Sequence, residues 1–146
     1  MRSALAGLAM FLAFGPGLSA DLKKALAETN LEKRSKLALD NALVAYQMAR
    51  EAYTKGENEQ LNVCVAEILE SVDLAAASLE QTGKDPRKHP GYFKRAEIET
   101  RDLERRLEGF QQEMSYTERP LLDKVKARVQ QVHDELLLGL MEGKRK

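Results

Sequence analysis

The chain is poor in the residues that staple small proteins or build reactive sites. It has one cysteine, Cys64, so no disulfide can close within it and packing must supply the stability. It has no tryptophan, and aromatic residues make up only 5% of it, which leaves a core of aliphatic side chains. Proline occurs only at positions 16, 86, 90 and 120, so long stretches between carry no helix breaker of that kind. An excess of one charge is missing as well, with 23 Lys+Arg against 23 Asp+Glu. Such a balance argues against nucleic acid as a partner, because phosphate backbones are bound through a surplus of basic groups. No apolar run approaches the roughly 20 residues that span a bilayer.

One short apolar run is present, and its position matters. Residues 4–14 carry no polar side chain; Arg2 precedes them, and Gly15-Pro16-Gly17 and then Leu18-Ser19-Ala20 follow. This is the three-part layout of a secretory signal peptide, with cleavage expected after Ala20. The expected product is a secreted or periplasmic protein with a single domain over 21–146. Asp21 rather than cysteine follows the cleavage point, so a lipidated N-terminal cysteine is excluded. Removal of Arg2 leaves 22 basic against 23 acidic residues, a net charge of −1.

The remaining sequence reads as four helices, about 31–54, 58–81, 91–114 and 117–141. Each carries a largely apolar stripe in steps of three and four. The stripes are Leu39, Ala42, Tyr46, Ala49, Tyr53; Leu61, Val65, Ile68, Val72, Ala75, Leu79; Phe93, Ala96, Thr100, Leu103, Leu107, Phe110, Met114; and Leu122, Val125, Val129, Val132, Leu136, Leu140. Asn30 suits an N-cap, Gly56 and Gly83 suit stops, and Ser115-Tyr116-Thr117-Glu118 has the capping-box spacing. Rods of about 36 Å joined by short turns predict an all-α fold, an antiparallel up-down-up-down four-helix bundle. The alternative is two stacked helical hairpins, although no 34-residue repeat period recurs.

Sites that bundles commonly host can be tested by spacing. Di-iron centres use Glu-x-x-His twice, but Gln130 and Pro86 stand three before His133 and His89. Covalent haem needs Cys-x-x-Cys-His, which one cysteine cannot supply. His133 and Met48 are poor axial haem ligands, because they fall at different levels of the bundle and Met48 lies off its stripe. Neither histidine has a nucleophile placed beside it, and no glycine-rich phosphate loop exists. Acidic residues are mostly interleaved with basic ones, as Glu97 with Arg101 and Asp102 with Arg106, which reads as solvated i,i+4 pairs. No catalytic residue, metal or cofactor is therefore expected, and His133 reads as a surface residue. Cys64 flanks its stripe and reads as a half-buried inert thiol, with an intermolecular disulfide as the alternative.

Charge placement is the informative asymmetry. Up-down-up-down topology brings residues 21–36, 80–95 and 139–146 to one end, with net charges of +2, +3 and +2. Lys84, Arg87, Lys88, His89, Lys94 and Arg95 cluster there, and Lys94 and Arg95 occupy a helix start, where positive charge is disfavoured unless an anion is bound. These six are the candidate anion-binding residues. The expected function is an exported, non-catalytic binding protein with a protein partner, whose basic pole contacts an anionic envelope component. The alternative is a small-molecule or metal carrier using the bundle interior.

Overall fold

Four amphipathic rods bury their stripes most completely by packing side by side. The computed structural model describes residues 21–144; the expected signal peptide, 1–20, lies outside the described residues, as do Arg145 and Lys146. A short helix α1 (Lys23–Ala27) is followed by α2 (Leu31–Lys55), α3 (Asn58–Gln81), α4 (Pro90–Glu113) and, after a 3-10 turn at Arg119–Leu122, α5 (Asp123–Glu142). The described residues contain no strand, and the protein is an all-α helical bundle.

Local chemistry sets the helix ends. Asn30 Oδ1 accepts from the Lys33 N–H at 3.0 Å and caps α2. Gly56 closes α2 in the left-handed region, at φ 71°, where a residue without Cβ is unstrained. The start of the last helix differs from the capping-box expectation. Ser115 Oγ meets the Glu118 carboxylate at 2.8 Å, and the regular helix begins only at Asp123. Arg119 explains the delay: its guanidinium donates to the carbonyls of Gln112 and Met114, orphaned at the end of α4, so the turn stays wound on that end.

The two hairpins are packed differently. Ala38, Ala42, Ala45 and Ala49 of α2 are fully buried, and α3 offers buried Ser71, Ala75 and Ser78. Small residues on both faces let these helices approach closely, and their contact is the most extensive in the molecule. In the second hairpin the buried residues are larger, Phe93, Leu103, Leu107 and Phe110 on α4 and Val125, Val129, Val132 and Leu136 on α5. The hairpins lie face to face, α2 beside α4 and α3 beside α5, whereas α3 and α4 meet only sparsely. The up-down-up-down bundle is thus also a pair of stacked hairpins. Consequently residues 82–89 join diagonal helices rather than neighbours, and they pass under the end of α5.

Aromatic contacts tie the far end together. Phe110 packs edge-on against Tyr46 and Tyr53, at 6.1 and 5.7 Å between ring centroids. Arg50 lies over the Phe110 ring at 5.6 Å and pairs with Glu113. These links hold α2 parallel to α4.

The N-terminal arm departs from the expected placement at the pole. It folds back along α2, with Ala25 buried, until the Asp21 N–H reaches Asn41 Oδ1 at 2.8 Å. Asn41 lies about 15 Å along the helix from Leu31 at 1.5 Å per residue. Charges at the start of the arm therefore line the flank of the bundle, not its end.

Candidate binding pole and adjoining groove

Asp85 organises the connection between α3 and α4. Its Oδ1 accepts from the Arg87 N–H at 2.9 Å, and its backbone carbonyl accepts from Lys88 and His89. The Arg87 N–H is the main reason its carboxyl is held below the ordinary carboxylate value; the Lys144 N–H and the Lys88 charge add to this. Gly143 seats the connection against α5. A Cβ there would lie 3.2 Å from both Arg87 Cδ and Asp85 Oδ1, and its φ is +80°.

The structure gathers Lys84, Arg87, Lys88 and His89 around this connection, with Lys94 and Arg95 on the first two turns of α4. Their charges are not equally available. Lys84 pairs with Glu32 across to α2, and Arg95 pairs with Glu99 at 3.0 Å. Lys88, His89 and Lys94 are exposed and form no ion pair within 4 Å among the described residues. His89 is the N-cap position of α4 and makes no side-chain cap, so the first-turn N–H groups have no cap from it. Pairing and the displaced arm leave the pole less basic than a count along the sequence indicates.

Beside the pole runs an open groove of about 590 Å³ between the C-terminal halves of α3 and α5. Ala76, Ala77, Leu136 and Gly139 are among its lining residues; the Asp73–Arg128 pair, 2.6 Å, lies towards one end and Lys84 and Lys144 at the other. On the outer side of α5, Leu137, Leu138 and Met141 are 40%, 39% and 68% exposed. Sequence reasoning did not single these out. The signal was there: in Leu136-Leu137-Leu138-Gly139-Leu140-Met141 every position is apolar or glycine, so one bundle-facing side cannot cover them all.

His133 is not the surface residue expected. Its side chain is only 13% exposed, and Nε2 lies 3.0 Å from Oε1 of Glu97, itself buried. Nδ1 faces Asp134 at 3.2 Å and Glu104 at 4.0 Å, and Arg101 approaches the same Glu97 oxygen at 3.5 Å. The reason is positional: 133 directly follows the buried Val132, so a ring there reaches over the α4–α5 seam. Thus Glu97 and Arg101 are not simply a solvated pair.

Cys64 is buried, with Gln60 Nε2 at 3.5 Å from its sulfur, and desolvation raises its pKa. Disulfide exchange with another chain would require α3 to expose it.

No helix among the described residues is long and apolar enough to cross a membrane, and they contain no group of three or more His, Cys, Asp or Glu placed to hold a metal ion. No protein-family model matches the chain, and neither curated proteins nor solved structures provide a match.

Proposed function

We propose that this is an exported, non-catalytic helical binding protein that docks a polypeptide partner on the outer face of α5, with the basic pole as a secondary contact to anionic envelope material. One observation carries the reading: Leu137, Leu138 and Met141 are exposed together on the last turns of a single helix. Exposed apolar side chains that cluster, unlike scattered ones, characterise binding surfaces. Arg87 and Lys144 stand beside that end, so an apolar patch rimmed by carboxylates is the complementary partner chemistry. The signal-peptide layout of residues 1–20 supports the secreted or periplasmic location.

A photo-reactive amino acid placed at Leu138 in the expressed full chain tests this. It should yield one discrete cross-linked species in the envelope or secreted fraction, and Met141→Glu should abolish it. The same probe at Val63, exposed on α3, should not yield that species. Identical patterns from both positions, or none from Leu138, would overturn the docking face. The carrier reading is favoured by the groove beside α5 rather than by the interior, where the stripes that line it are apolar. A bound chromophore, lipid or metal in the purified protein would favour it instead.

A further inference from the structure

The backbone nitrogen of Asp21 is held although the residue is exposed. Its N–H donates to Asn41 Oδ1 at 2.8 Å, and Asn41 is only 9% exposed. The Asn41 amide in turn donates to Ser71 Oγ at 2.9 Å and to Glu67 Oε1 at 3.0 Å. Glu67 as a carboxylate only accepts, so it fixes the amide orientation and leaves Oδ1 facing Asp21. Around this relay the α2–α3 seam is apolar: Ala38, Ala42, Ile68 and Val72 are all fully buried. A buried amide in such surroundings is destabilising unless its hydrogen bonds are made.

Cleavage after Ala20 changes the chemistry of this one nitrogen. Hydrolysis of the Ala20–Asp21 peptide bond consumes one water; its oxygen goes to the new Ala20 carboxylate and both hydrogens go to the Asp21 nitrogen. A neutral amide with one N–H becomes an ammonium with three. We propose that Asn41, backed by Ser71 and Glu67, is the receptor for this α-ammonium, so that leader removal locks the N-terminal arm onto the α2–α3 seam. The proposal rests on the export reading and its cleavage point. An ionised donor makes a shorter and stronger bond than an amide does, and the Glu67 carboxylate polarises Asn41 towards it. Ala25 and the partly buried Leu22 then hold the rest of the arm against the core.

The test uses exported, processed protein, either unmodified or acetylated at its α-amino group near neutral pH, where lysines stay protonated. Acetylation restores a neutral amide at Asp21. Trypsin should clip the arm at Lys23 and Lys24 about fivefold faster after acetylation, because cleavage follows the population of the opened arm. In Asn41→Leu, acetylation should make no further difference. If that variant does not fold, Glu67→Gln serves, and the acetylation effect should shrink there. Mass spectrometry of the same material separates the two claims. A first residue other than Asp21 overturns the cleavage point and the receptor with it; Asp21 with equal clipping rates overturns the receptor alone.

Discussion

His133 and Leu103 show how differently two side chains can hold helices together. Leu103 is almost fully buried in the α4 stripe, so Leu103→Ala removes apolar contacts and leaves a cavity. A loss of about 2–5 kcal/mol is expected. His133 contributes through polarity. Removing it leaves buried Glu97 with Arg101, at 3.5 Å, as its ion-pair partner among the described residues. His133→Ala should therefore cost about 1–3 kcal/mol, the range for stranding a buried polar group, rather than the few tenths of a surface change. Urea unfolding of both variants measures this. An unchanged midpoint for His133→Ala would mean that the bridge to Glu97 contributes nothing net.

Among the elements, the two helix-ending glycines separate backbone strain from crowding. Gly56 and Gly143 both have positive φ, but a Cβ at Gly56 would meet nothing within 4 Å, whereas one at Gly143 would press on Asp85 and Arg87. Gly56→Ala should cost the left-handed strain alone, about 1–2 kcal/mol. Gly143→Ala should cost more and should also loosen the connection, so the Arg87, Lys88 and His89 amides should exchange hydrogen faster in that variant only. Equal exchange in the two variants would contradict the seating of the connection on α5. Acid should act at the same place. The folded pKa of Asp85 is depressed, so its contribution is present above the ordinary carboxylate value near 3.9 and is lost as pH falls through the depressed value. Helix existence and most ends were legible from spacing, Asn30 and Gly56. The late start of α5 was not, because it depends on Arg119 reaching back to carbonyls of another helix.

At the scale of the whole molecule, the charge pole tests whether position or total charge matters. Lys88 and Lys94 are two of its exposed cations that form no ion pair among the described residues; Arg105 and Lys124 are exposed elsewhere. If the pole contacts anionic surfaces, processed protein should bind anionic vesicles at low salt, and added salt should weaken the binding as the screening length falls to about 8 Å at physiological ionic strength. Lys88→Glu with Lys94→Glu should reduce it by about tenfold or more, since each basic group near such a surface contributes on the order of 1 kcal/mol. Arg105→Glu with Lys124→Glu changes net charge equally and should have much less effect. Equal losses would reduce the pole to net charge, and a parent that does not bind at low salt would remove it as a contact. Helix content, the buried face of each helix and most turn positions were legible in the sequence, because periodicity, caps and breakers act within a few residues. The diagonal placement of α3 and α4, the run of the arm to Asn41 and the meeting of His133 with Glu97 emerge only in the folded molecule. Those contacts depend on how each rod is rotated and which neighbour it takes, and α2 takes α3 because alanines on one face meet small residues on the other.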